Sequence, residues 1–277
     1  MRCKIKDIEV YYEDIGSGLP LVILHGMPLD HHHIFNDLEP LFVDRHGWRR
    51  IYPDLPGMGK TIAADWITNQ DHMLDIILEF IEKVAPGERF TVAGTSYGGY
   101  LARGVINRKG KHMDGMFINV PSVETNEIKK DLPKHRVIKE SQEFLAALTP
   151  DEQDLRSLIV TQSLELLQDF RSWFSPAGAI ADQAFLERLD KNFSFSFSVD
   201  ALPEPFPAPT LILTGRFDHW CGYREAYKLL ENYPRATYAV LDKAGHALAS
   251  EQKTLFRALV NEWLDRVEEY AKENAST

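Results

Sequence analysis

Two hydrophobic rhythms alternate along this chain, one of short apolar runs and one of apolar positions at helical spacing. Lys4 to Tyr12 alternates apolar with polar residues and leads to Gly16-Ser17-Gly18, the pattern of an amphipathic strand and a turn at one sheet edge. Leu21 to Leu24 is continuously apolar, which predicts a central strand covered on both faces. Arg50-Ile51-Tyr52-Pro53, Phe90 to Ala93, Gly115 to Val120, Thr210 to Leu213 and Thr237 to Leu241 are further short strand candidates. Asp71 to Val84 carries Met73, Ile76, Ile77, Phe80, Ile81 and Val84 at helical spacing and is stopped by Pro86-Gly87. Leu255 to Val267 repeats the pattern, and the Glu-rich tail beyond it is expected to fray. Strand alternating with helix predicts an α/β fold, a doubly wound and mainly parallel sheet with helices on both faces.

From Pro121 to Pro207 the strand rhythm lapses. Helix candidates at Lys134 to Leu148, Asp151 to Phe170 and Asp182 to Lys191 fill the stretch, followed by the alternating Phe193 to Ser198 and a proline-rich exit. Phe193, Phe195 and Phe197 read either as one face of an extended edge segment packed on the core or as pocket lining. The expected organisation is a core of residues 1–120 and 208–277 with a mostly helical insertion at 121–207.

Composition narrows the partners. At 277 residues, with 44% hydrophobic and 26% charged residues, one globular domain with an insertion is the economical reading. The formal net charge of −10 argues against nucleic acid, whose recognition needs clustered Lys and Arg. Met1 to Tyr12 lacks the apolar stretch of a signal peptide, and no run approaches a membrane span, so the expected compartment is the cytoplasm. Cys3 and Cys221 suggest neither a disulfide framework nor a zinc site. The expected partner is a small-molecule substrate, with no cofactor and no metal. Nothing in the pattern fixes an oligomeric state.

Candidate chemistry centres on Gly94-Thr95-Ser96-Tyr97-Gly98, between the apolar run ending at Ala93 and a small-residue helical stretch. G-x-S-x-G in that context places a serine on a sharp strand-to-helix turn, where the residues two before and two after it must be nearly bare. A serine hydroxyl needs a neighbouring base. Further along come Leu24-His25-Gly26-Met27-Pro28, then Asp54 to Thr61, then Gly215-Arg216-Phe217-Asp218 after one predicted strand and Ala244-Gly245-His246 after the next. Together these resemble the α/β-hydrolase family, from Leu21 to His246, and the order Ser, Asp, His is that of this fold.

The resemblance implies a sheet of the eight-stranded type with a helical cap, a triad of Ser96, His246 and Asp218, and an oxyanion hole from the backbone N–H groups of Met27 and Tyr97. His246 would take the proton of Ser96, and Asp218 would hold the imidazole tautomer. Asp54 to Thr61 is similar to the family's D-x-x-G-x-G-x-S turn, with Thr61 in place of serine. Its Gly-Lys-Thr ending imitates a phosphate loop, but Asp54 stands where G-x-x-x-x-G-K-T needs glycine, and a carboxylate is wrong for phosphate. The implied activity is hydrolysis of a small or medium uncharged ester through an acyl-enzyme. Alternatives on the same scaffold are a slow-turnover ligand sensor and a carbon-carbon bond hydrolase or perhydrolase. A serine nucleophile weighs against the dehalogenase and epoxide-hydrolase branches, which place aspartate there. His31-His32-His33 invites a metal reading, set aside for want of carboxylate or cysteine partners at ligand spacing. Asp242 is a reserve acid but reads more simply as a turn cap, and His219 and Trp220 read equally as pocket borders or as a surface loop.

Overall fold

The computed structural model describes residues 1–125, 128 and 130–275. The expected amphipathic edge strand is instead a hairpin, β1 (Arg2–Ile5) and β2 (Ile8–Gly16), because Lys6 takes the left-handed conformation at φ 52° and turns the chain back. The remaining strands are β3 (Leu19–Leu24), β4 (Trp48–Pro53), β5 (Phe90–Thr95), β6 (Met113–Asn119), β7 (Thr210–Gly215) and β8 (Ala236–Leu241). They form one eight-stranded sheet in the order β1-β2-β4-β3-β5-β6-β7-β8, parallel from β4 to β8 and antiparallel at the β1-β2-β4 edge.

The continuously apolar runs are central, as their composition requires. In β3, Val22 and Leu24 face a core with α2 (Gln70–Val84) and α3 (Tyr97–Lys109), while Leu21 and Ile23 face a second core with α1 (His31–Leu38) and α11 (Lys253–Ala275). β5 is buried throughout, paired with β3 on one side and β6 on the other. The serine turn therefore leaves the C-terminal end of a strand at the middle of the sheet, where open parallel sheets carry their ligand sites.

Beyond the short helices α9 (Arg224–Tyr227) and α10 (Leu248–Glu251), the tail expected to fray is helical to Ala275. Arg45 donates to Glu268 and Asp265, each at 2.6 Å, and Trp48 Nε1 donates to Glu268 at 2.8 Å, so the polar end of α11 is tied to the start of β4.

Between β6 and β7 the described residues add no strand to the sheet. They carry α4 (Gln142–Ala147), α5 (Leu155–Leu158), α6 (Leu164–Asp169), a wide helical turn at Phe170–Phe174, α7 (Ser175–Ile180) and α8 (Gln183–Asp190). Only α8 matches its predicted span. Lys134 to Leu148 is helical at its end alone, and Asp151 to Phe170 is broken at Ile159–Ser163. There the β-branched Ile159-Val160-Thr161 runs extended, Val160 O accepts from Ile138 N and Lys139 N, and Gln162 N donates to Lys139 O. The phenylalanine triplet is not a strand. Phe195 stacks on Tyr100 at 4.4 Å and Phe197 on Phe195 at 5.0 Å, packing against the core, while Phe193 turns to the serine.

Among the described residues no helix is long and apolar enough to cross a membrane.

Candidate active site

Ser96 stands between β5 and α3 at φ 53° and ψ −113°, a conformation that costs a non-glycine residue about 1–3 kcal/mol. The surroundings hold it there. Its N–H donates to Asn119 O at 2.9 Å, and its carbonyl accepts from Gly99 N, Tyr100 N and Ser122 N at 3.0, 3.2 and 3.1 Å. The flanking glycines are steric requirements. A Cβ on Gly94 would lie 2.3 Å from Gly98 O, and one on Gly98 only 2.1 Å from Leu24 O.

The loop after β8 brings His246 to this turn, and the loop after β7 brings Asp218. His246 Nε2 lies 3.0 Å from Ser96 Oγ, and Nδ1 lies 2.9 Å from Asp218 Oδ2. Asp218 is fully buried, and its other oxygen accepts from Trp220 N at 2.9 Å and Cys221 N at 3.1 Å. Asp242, the reserve acid, is exposed on the β8 loop. An ionised carboxylate only accepts hydrogen bonds, so Nδ1 carries the proton and Nε2 presents its lone pair to the Ser96 hydroxyl.

Electrostatics follow from that pair. Burial opposes charge on His246, but the Asp218 carboxylate, with the Cys221 sulfur beside it, outweighs burial and holds the imidazolium well above the ordinary histidine range. Burial alone would push the Asp218 carboxyl up. The His246 charge and hydrogen bond, with the N–H groups of Trp220 and Cys221, hold it below the usual carboxylate range. The Trp220 ring lies 4.9 Å from His246 and is half exposed, and His219 lies tilted against His135 at 4.5 Å, with neither residue in the wall of the cleft at Ser96.

Tyr97 is the first residue of α3, so its N–H has no carbonyl one turn back within the helix. Its hydroxyl donates to Gln70 Oε1 at 2.5 Å, which fixes the start of that helix. Met27, Pro28 and Tyr97 share with Ser96 the wall of a cleft of about 420 Å³, faced by Leu186 of α8 and by Phe193.

The expectation that His31-His32-His33 lacks carboxylate partners is corrected. Asp54 Oδ1 accepts from His31 N at 3.0 Å and lies 2.7 Å from His31 Nδ1, while Asp30 Oδ1 caps α1 at His32 N, 3.0 Å away, and lies 3.2 Å from His32 Nδ1. The carboxylates are thus engaged in organising the helix start and the turn after β4, where Asp54 Oδ2 also accepts from Lys60 N. His32 stacks on Trp173 and His33 meets Phe174 edge-on, so the run is the seat of the 170–174 helical turn. Burial lowers His33 to about 3, leaving its ring neutral.

Two residues beside the site carried no motif. Glu251 accepts from Gly245 N at 2.5 Å through one oxygen, and from Val160 N at 2.6 Å and Thr161 N at 3.2 Å through the other, tying the His246 loop to the inserted segment. Its signal was a carboxylate among the apolar positions of Leu248 to Glu251. Cys221, expected only to pack, has Sγ 3.4 Å from Ser122 Oγ and stands beside Asp218 and His246.

A mainly parallel sheet with a serine elbow at its centre, a histidine and an aspartate on the following strand ends, and a cleft above them defines an α/β-hydrolase enzyme. The chain belongs to the alpha/beta hydrolase family, whose model matches residues 21–258. It is similar to the pimeloyl-[acyl-carrier protein] methyl ester esterase of Legionella pneumophila (strain Paris), 24% identical over 93% of this chain and 100% of that one. It is also similar to a 2-hydroxy-6-oxononadienedioate/2-hydroxy-6-oxononatrienedioate hydrolase of Pseudomonas putida, 22% identical over 93% of this chain and 92% of the other. Among solved structures, an alpha/beta superfamily hydrolase from Oenococcus oeni PSU-1 superposes with a TM-score of 0.85 at 28% identity, covering 97% of this chain and 99% of that one.

Proposed function

We propose that the protein is a serine ester hydrolase acting through an acyl-enzyme, with Ser96 as nucleophile, His246 as general base and acid, and Asp218 as the group that orients and charges the imidazole. The continuous hydrogen-bond geometry from Ser96 Oγ through His246 to Asp218, opening on a cleft, carries this reading. Ser96 Oγ attacks the ester carbonyl carbon as its proton passes to His246 Nε2. Collapse of the tetrahedral intermediate expels the alkoxide, which leaves as the alcohol with that proton. Water then attacks the acyl-enzyme, giving its proton to His246, and the acid departs as Ser96 regains it. The oxyanion in both steps faces the N–H groups of Met27 and Tyr97, each donor contributing about a hundredfold or more.

Residues 121–207 form the cap in this reading, and residues 1–120 and 208–277 the core that holds the triad. The cap supplies Leu186 and Phe193 to the cleft, so it shapes the substrate site while leaving the bond-making atoms to the core. The test is hydrolysis of a short p-nitrophenyl ester by the protein and by Ser96→Ala. A loss of about a thousandfold or more is expected with the fold intact. Retained activity, or failure of a fluorophosphonate to label Ser96, would remove the serine from the mechanism.

A further inference from the structure

The cleft at Ser96 is apolar on its floor and negatively charged at its side. Glu187 and Asp190 stand three residues apart on α8, so both carboxylates are presented on one helix face together with Leu186. Both residues are exposed, and neither forms an ion pair among the described residues. Among those residues no Lys or Arg lines the cleft. Phe193, half-buried at the edge of the cleft, adds an aromatic ring, whose negative face also favours a cation.

An anion placed here faces two carboxylates with no Lys or Arg in the lining. Two carboxylates and an aromatic ring beside one cleft instead match a substrate with a positive charge a few bonds from its carbonyl. This is the opposite of what the acidic compounds in the relatives' names would require.

We propose that the enzyme selects esters bearing an ammonium group, with Glu187 and Asp190 as the specificity-determining residues. The inference rests on the ester-hydrolase reading for its chemistry, but its test is one of binding, so the two can fail separately. Ser96→Ala is titrated calorimetrically with acetylcholine and with its uncharged tert-butyl isostere. A second pair, the ethyl ester of a trimethylammonio-butanoate and its tert-butyl analogue, places the charge on the acyl side.

In one pair or the other the cation should bind about tenfold more tightly, the scale expected of two solvent-facing carboxylates acting with one aromatic face. Adding Glu187→Gln and Asp190→Asn should reduce that preference to about twofold or less, and raising the salt should shrink it in the parent site. Circular dichroism checks that the substituted protein is folded. Equal affinities in both pairs, no binding by any of the four esters, or a preference that survives the double substitution would each overturn the inference. A retained cation preference in a protein whose parent form hydrolyses none of these esters would instead sink the hydrolase reading.

Discussion

Asp218→Asn tests the site at its most constrained atom. The two oxygens of Asp218 have different partners: Oδ1 accepts from Trp220 N and Cys221 N, and Oδ2 faces His246 Nδ1. An asparagine must keep its one carbonyl oxygen toward the two backbone N–H groups, since turning its amide nitrogen there would bury donors against donors. The NH2 group then faces Nδ1, which can only accept, so the neutral ring carries its proton on Nε2 and points it at Ser96 Oγ. The base is lost without any atom having moved. A wrong tautomer of this kind costs about ten-thousandfold in kcat, or about 5 kcal/mol of transition-state stabilisation.

The pH profile supplies a second readout of the same substitution. Activity requires neutral His246, so it is lost as pH falls through the imidazolium pKa. The Asp218 charge raises that pKa, placing the parent's acid limb above the ordinary histidine value of about 6.5. Without the carboxylate, the largest influence opposing burial is gone, and the limb should move down. The assay is kcat/KM for p-nitrophenyl acetate from roughly pH 5 to 9, with Ser96→Ala subtracted as background. A variant that keeps more than about a tenth of the parent's kcat/KM, or an acid limb that stays in place, would refute the orientation argument.

Glu251→Gln leaves one oxygen for three N–H donors and turns an amide toward one of them, so urea denaturation should show a loss of about 1–3 kcal/mol and kcat should fall as the His246 loop loosens. An unchanged kcat would reduce Glu251 to a structural residue. Gly98→Ala puts a methyl against the backbone oxygens of Leu24 and His25, neither able to yield as a flexible side-chain end could. A loss of about 3 kcal/mol or more, or no soluble folded protein, is expected, and near-native stability would contradict the crowding. Arg45→Ala removes the contacts to Glu268 and Asp265. It should cost at most about 1 kcal/mol in denaturation while increasing amide exchange in residues 268–275, and unaltered exchange would mean α11 needs no such anchor.

These contacts also show what a sequence can and cannot reveal here. The parallel strands were legible because their coverage on both faces leaves no polar alternation in Leu21 to Leu24 or Phe90 to Ala93, and the positions of Ser96, Asp218 and His246 follow from where such strands end. The hairpin at Lys6 was not, because its left-handed turn residue is neither glycine nor asparagine, so the alternation ran through it as one strand. The inserted segment was least legible for a related reason. Ile159 to Ser163 has enough apolar residues to extend a helix on either side, but the N–H groups of Val160 and Thr161 donate to Glu251, some ninety residues on, where a continuous helix would have bonded them locally. Helical periodicity reports only which residues are buried. Whether a backbone donor is satisfied one turn away or by a distant carboxylate is decided by tertiary structure, and at Val160 and Thr161 that carboxylate is Glu251, which also holds Gly245 of the histidine loop. The same residues that made the insertion hard to read therefore couple it to the site, so substitution at Glu251 should disturb the cleft shape and the histidine position together.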